Sequence, residues 1–197
     1  IKTVDSKKLD FMCAQGNHQG IVAKASSYEY FSVDDILNSS KNENKFIVIC
    51  DGISDPHNLG AIIRSAECMG ADGVIIPERR SASVNFTVSK ASAGAVEYIK
   101  IARVTNLLNT VSKLKKEGLW IYGADMHGEN LKKTDMTGNI AVVIGSEGKG
   151  ISQKMKENCD FLISIPLYGK IDSLNASVSA VIILNEVAIK RKEVKND

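Results

Sequence analysis

An α/β domain built around a parallel sheet is the architecture the sequence predicts, and three observations predict it. Short, continuously apolar, β-branched runs recur from about Lys45 onward. They lack the polar–apolar alternation of a sheet with one wet face, which is how strands covered on both faces read. Strand and helix signals also alternate along the chain, the order of βαβ units rather than of a sandwich or a bundle.

Taken in order, FIVIC (Phe46 to Cys50) is the first expected strand, LGAIIRSAECMG (Leu59 to Gly70) a helix closed by glycine, and GVIIP (Gly73 to Pro77) the second strand. TVSKASAGAVEY, Thr87 to Tyr98, is a periodic run whose small residues suit close helix packing. IKIARV follows as a strand, TNLLNTVSKLKKEG as a helix with Thr105 or Asn106 at its cap, and LWIYGAD as a strand. IAVVIG, a helix around ISQKMKEN, the strand LISIP and a long helix from about Ser173 to Arg191 complete the series. That last helix is apolar almost all round.

Residues 1 to 44 do not follow this rhythm and are read as the end of a separate small lobe plus a linker, with residues 45 to 197 as the main domain. Within the first part, GIVAKASSYEYF suggests one or two strands, SVDDILNSS a short helix and KNENK a polar connector. The tail KRKEVKND is expected to be a frayed, solvated helix end.

At 197 residues and 44% hydrophobic content the chain can bury one good core. No apolar run approaches the roughly 20 residues of a membrane span, and IKTVDSKKLDF lacks a signal-peptide layout, so the cytoplasm is the expected address. The first residue is Ile, so natural sequence upstream of it is expected. Cys13, Cys50, Cys68 and Cys159 are scattered singly, which reads as small buried thiols rather than a zinc or disulfide framework. A net charge of +2 neither demands nor excludes nucleic acid.

Three loops at expected strand ends carry chemistry-bearing residues. In DGISDPHNLGAIIRSAE, Asn58 can cap the following helix or face a ligand at the sheet's carboxyl edge. Arg64, among Ala61, Ile62, Ile63 and Ala66, needs a partner; the plainer alternative is a guanidinium that reaches solvent or pairs with Glu67. In IAVVIGSEGKGIS the glycines let backbone N–H groups approach a ligand. This is neither a Walker A loop nor a dinucleotide fingerprint, since Lys149 precedes Gly150 and the glycine order is reversed. Glu147 would repel a polyphosphate, so the loop suits a hydroxyl-bearing or cationic group. The third loop, in LISIPLYGKIDSLN, opens the last helix with Ser173 and Asn175.

The segments NLGAIIRSA, VIGSEGKG and ISIPLYGKIDSLNASVSA resemble, in order and spacing, the three motifs of the SpoU (TrmH-like) RNA ribose 2′-O-methyltransferases of the SPOUT superfamily. The resemblance covers about Phe46 to Lys190. KKLDFMCAQGNHQGIVAKASSYEY looks like the end of the small RNA-binding lobe of members acting on ribosomal RNA. The resemblance implies a SPOUT-type parallel sheet flanked by helices, a C-terminal deep trefoil knot, S-adenosylmethionine as cofactor and a homodimer with its active site near the interface. Carried onto this sequence, Gly145, Ser146, Gly148, Ile165, Leu167, Gly169 and Leu174 would line the cofactor pocket. Arg64 would be central to catalysis with Asn58, Glu147, Ser173 and Asn175 around it. A guanidinium with a pKa above about 12 makes a poor base, so Arg64 is expected to bind phosphate and stabilise a developing alkoxide.

For RNA contacts, Arg79, Arg80 and Lys90 in ERRSASVNFTVSK suit phosphate oxygens, or are simply exposed surface. RNA is the expected partner, with no DNA and no membrane. The favoured substrate is a guanosine ribose in 23S ribosomal RNA. Alternatives are transfer RNA, the adenosine of thiopeptide resistance, or a catalytically idle knotted RNA-binding protein; a nucleotide hydrolase or dinucleotide oxidoreductase fits the glycine order poorly.

Overall fold

A computed structural model describes residues 1–13, 18–23, 27–40 and 44–193. Six strands form one all-parallel sheet: β1 (Phe46–Asp51), β2 (Gly73–Pro77), β3 (Lys100–Val104), β4 (Trp120–Asn130), β5 (Ile140–Gly145) and β6 (Phe161–Ser164), in the order β3-β2-β1-β5-β4-β6. The central strands β1 and β5 are buried almost throughout, the consequence of helices on both faces. Each strand run expected from about Lys45 onward is present, and β4 continues five residues past the expected LWIYGAD.

Among the described residues there are seven helices: α1 (Ser6–Met12), α2 (Val33–Ser39), α3 (Pro56–Cys68), α4 (Phe86–Ala91), α5 (Leu107–Lys116), α6 (Gln153–Asn158) and α7 (Ala176–Glu193). On one face α3, α4 and α7 supply Leu59, Ile62, Ile63, Val88, Ile183, Leu184 and Val187 to a core with Val48, Val74 and Val142. On the other, α2, α5 and α6 cover Ile47, Ile49, Ile75 and Val143 with Ile36, Val111, Leu114 and Met155.

Local chemistry explains the helix starts. Ser32 and Asp35 form a capping box on α2, as the SVDDILNSS reading expects. Of the two candidates at α5 it is Asn106 that caps, accepting from Asn109 N. On α3 the cap is Asp55 with Pro56 at the first position, so Asn58 lies inside the helix rather than at its start.

Three expectations are corrected. The run 87–98 is not one helix: Ala93 and Gly94 are left-handed (φ 51° and 88°), which ends α4 and leaves a separate 3-10 turn, Ala95–Glu97. Its small residues do serve close packing, because a Cβ on Gly60 of α3 would lie 2.6 Å from that of Ala91. The last helix begins at Ala176, not Ser173, because the Asn175 side chain accepts from Ser177 N at 2.9 Å and Val178 N at 3.3 Å. Finally, the described part of 20–31 holds no strand, only a bridge of Phe31 to Ala102, while Tyr28 and Tyr30 pack against the core. Within the KNENK connector 41–43, and within the tail 194–197, the expectations lie outside the described residues.

Cys50 is fully buried, Cys13 and Cys159 are half-buried, and Cys68 is exposed, contrary to its expected burial. Burial pushes the Cys50 and Cys159 thiols up to about 12, so neither is a thiolate at neutral pH.

Candidate functional site

Strand order reverses between β1 and β5: the chain moves from β1 outward to β2 and β3, then returns to place β5 on the other side of β1. Loops leaving Asp51 and Gly145, which are register partners, therefore diverge and open a crevice at the carboxyl edge, where open α/β sheets hold ligands.

The loop after β5 is a tight hairpin closed by Ser146 N to Gly150 O (3.1 Å) and Gly150 N to Ser146 O (2.9 Å). Gly148 and Gly150 have positive φ, and a Cβ on Gly145 would sit 2.0 Å from the Gly150 carbonyl carbon. Only glycine permits so close a return of the backbone. Asp51 fixes the outgoing end by accepting from Ser152 N at 2.8 Å.

This hairpin, the middle of β4 (Ala124 to Met126), and the segment 163–174 enclose a cleft of about 290 Å³. Gly145, Ser146, Gly148, Ile165, Leu167 and Leu174 line it as expected, and Glu147 and Ser173 do too. Gly169 does not. The apolar part is Ile144, Ile163, Ile165, Leu167 and Ile183; the polar part includes backbone groups of the hairpin and the charged side chains of Asp125 and Lys156. An apolar slot with a few convergent polar groups suits a ring attached to a polar chain. The lining therefore fits S-adenosylmethionine, with the Gly145 approach as the feature a side chain would abolish.

At the rim three motif residues meet on one carboxylate. Asn58 Nδ2 donates to Glu147 Oε1 at 2.9 Å. Asn175 Nδ2 donates to the same oxygen and to Asn58 Oδ1 at 3.1 Å. Asn58 is buried, so its amide would cost free energy if these bonds were lacking. Ser173 is exposed, lines the cleft and makes no capping bond among the described residues; Asn175 performs the cap while holding Glu147.

Arg64 is not brought to the cleft. It is exposed on α3, reaching solvent as the plainer alternative had it, and makes neither a Glu67 pair nor another bond among the described residues. Arg79, Arg80 and Lys90 are likewise exposed and outside the cleft. Arg80 adopts a left-handed φ of 60° in a segment tied to the first loop through Ala82 N to Ile53 O, 2.8 Å.

Asp125 and Lys156 are the charged lining residues that the motifs do not reach. Burial would raise the Asp125 carboxyl, but the Lys156 hydrogen bond, the His127 N–H and both side chains' charges outweigh it and hold the group below the ordinary carboxylate range. The available signal was its position just past the apolar run of β4, next to the glycine loop.

Comparison with known proteins agrees with this geometry. Residues 45–185 match the model of the SpoU rRNA Methylase family, and residues 1–31 match the model for RNA 2′-O ribose methyltransferase substrate binding. The YacO protein of Bacillus subtilis (strain 168), which carries the name of a TrmH family tRNA/rRNA methyltransferase, is 48% identical over 197 residues, covering 98% of this chain and 79% of its own. Among solved structures, the SpoU methyltransferase AviRb from Streptomyces viridochromogenes, in complex with the cofactor AdoMet, is 29% identical with a TM-score of 0.74, over 82% of this chain and 62% of that one. A TrmH/SpoU tRNA modifying enzyme of A. aeolicus is 29% identical with a TM-score of 0.72, over 79% of each chain.

Proposed function

Because the chain belongs to the SpoU rRNA methylase family, we propose that it uses S-adenosylmethionine to methylate a ribose 2′-hydroxyl of RNA, that of a guanosine in 23S ribosomal RNA. The observation that carries this reading is the shared carboxylate: Asn58, Glu147 and Asn175, from three separate motifs, converge at the mouth of a cleft whose floor suits the methyl donor.

The cofactor supplies a methyl group already activated on a sulfonium. What the protein must add is alignment and help with the hydroxyl proton. Glu147 Oε1 is engaged by the two amides, while Oε2 accepts from no protein donor among the described residues and can accept from the ribose 2′-hydroxyl. Ser173 flanks the same opening. Arg64, permanently charged and unpaired among the described residues, binds the adjacent phosphate and stabilises the developing alkoxide. Arg79, Arg80 and Lys90 extend the basic track along the RNA backbone.

A homodimer accounts for a further feature. The side of α7 away from the core exposes Val178 (47%), Val181 (40%), Ile182 (36%) and Ile189 (44%), and α3 with Arg64 packs beside it. A second copy over this face covers the apolar row and brings Arg64 to a cleft. This also explains why α7 is apolar almost all round before its charged last turns. The path of 162–176 beside β4 is read as the knotted segment of the fold family, and residues 1–31 as the end of an RNA-binding lobe, supported by the match to the substrate-binding model.

The names of the relatives favour one second reading, transfer RNA as substrate. Mapping ribose methylation in cells with and without the full-length gene separates the two. Loss of one guanosine mark in the large ribosomal RNA is expected; loss of a transfer RNA mark establishes the alternative, and an unchanged map in both overturns the proposal.

A further inference from the structure

β4 is interrupted where it borders the cleft. Ala124 pairs with Ile163, and so does Glu129, so residues 125–128 are looped out of the ladder. Bulges of this kind re-aim a side chain beside a site. Of the looped-out residues, Asp125 and Met126 line the cleft, and Asp125 is the polar one.

Asp125 differs from the other lining charges. Its side chain is only 7% exposed, whereas Glu147, Lys149 and Asp172 are exposed residues. One carboxylate oxygen, Oδ1, accepts from His127 N at 3.0 Å; the other, Oδ2, pairs with Lys156 Nζ at 2.5 Å. The charge is thus balanced inside the protein, which makes Asp125 a poor attractor of a cation. Hydrogen-bonding capacity is not used up, because a carboxylate has about four acceptor positions and two are taken. Such a group suits neutral O–H donors, and two adjacent hydroxyls match its two oxygens.

Resting on the reading of the cleft as the methyl-donor site, we propose that Asp125, held by Lys156 and His127 N, recognises the vicinal ribose hydroxyls of the donor's adenosine. Asp125 is then a binding residue that selects a ribosyl over a deoxyribosyl nucleoside.

The test is calorimetric binding of S-adenosylhomocysteine and of its 2′-deoxyribosyl analogue to the unaltered protein, Asp125→Ala and Asp125→Asn. The unaltered protein should lose about ten- to a hundredfold in affinity for the deoxy analogue, the scale of one hydrogen bond to a charged group. Asp125→Ala should bind the two ligands alike, and Asp125→Asn, which keeps the size and so preserves the test if alanine disturbs folding, should discriminate several-fold less. A structural role alone would weaken both ligands equally and leave their ratio unchanged, which overturns the proposal. If the unaltered protein binds S-adenosylhomocysteine without regard to the hydroxyl, the Asp125 assignment fails by itself. If it binds neither ligand, the donor-site reading fails with it.

Discussion

Asn58 and Glu147 stand 89 positions apart in the chain and meet through a 2.9 Å hydrogen bond from amide to carboxylate. Asn175 joins them from a third loop. The two bonds that end on Glu147 have a charged acceptor, so replacing Glu147 by Gln weakens both. Glu147→Gln should destabilise the protein by about 1–3 kcal/mol and lower methyl transfer by about ten- to a thousandfold. Denaturation and single-turnover transfer measure the two effects separately.

Arg64 should behave in the opposite way. It is exposed and unpaired among the described residues, so Arg64→Ala should leave stability within about 0.5 kcal/mol. Methyl transfer should nevertheless fall by about a hundredfold or more, with cofactor affinity unchanged. Arg64→Lys should not restore the rate, because an ammonium lacks the planar fork that grips a phosphate. Near-normal turnover of the lysine variant would remove the phosphate-binding role.

Gly145→Ala tests the hairpin. The added Cβ would lie 2.0 Å from Gly150 C and 2.1 Å from Ile151 N, both backbone atoms that cannot swing aside. The variant should lose about 1–3 kcal/mol of stability and give no calorimetric signal with S-adenosylmethionine under conditions that saturate the unaltered protein.

Lys190, near the end of α7, holds the connection after β4 by donating to the carbonyls of Leu131 (3.0 Å), Lys132 (3.0 Å) and Thr134 (2.6 Å). Lys190→Met keeps the stem but leaves three carbonyls without their donor, and should cost about 2 kcal/mol. Amide exchange around 131–134 should rise with it.

Stability should also fall on acidification. Asp125, with burial outweighed by Lys156 and His127, and Asp135, through Thr137, both have carboxyls below their ordinary range. A lowered folded pKa means that the stabilisation is present above the unfolded value of about 4 and is lost as pH drops through the folded one. Melting temperature should be steady between about pH 5 and 7 and decline below about pH 4. Asp125→Asn should flatten that decline.

The fold's outline is legible from sequence because the strands are covered on both faces: FIVIC, IAVVIG and GVIIP have no polar alternation to confuse their reading. The break at Ala93–Gly94 is not legible, since a left-handed alanine carries no periodicity signal and the run 87–98 stays apolar in helical spacing. Nor is the choice between Ser173 and Asn175 as cap, because both residue types cap helices well and only the contact with Glu147 fixes Asn175 at the turn. At the site, the glycine hairpin and the residues meeting on Glu147 are found by their motifs. Asp125 is missed because its role depends on a bulge created by the pairing of β4 with β6, a relation between distant segments. Arg64's isolation in one chain is equally invisible, since apolar neighbours in sequence turn out to lie on other sides of the helix.

The most direct test of the central claim is transfer of labelled methyl from S-adenosylmethionine to ribosomal RNA by the purified full-length protein, followed by digestion to nucleosides. Label in a 2′-O-methylnucleoside, abolished by Arg64→Ala, is the predicted result. Label in a base-methylated nucleoside would contradict it.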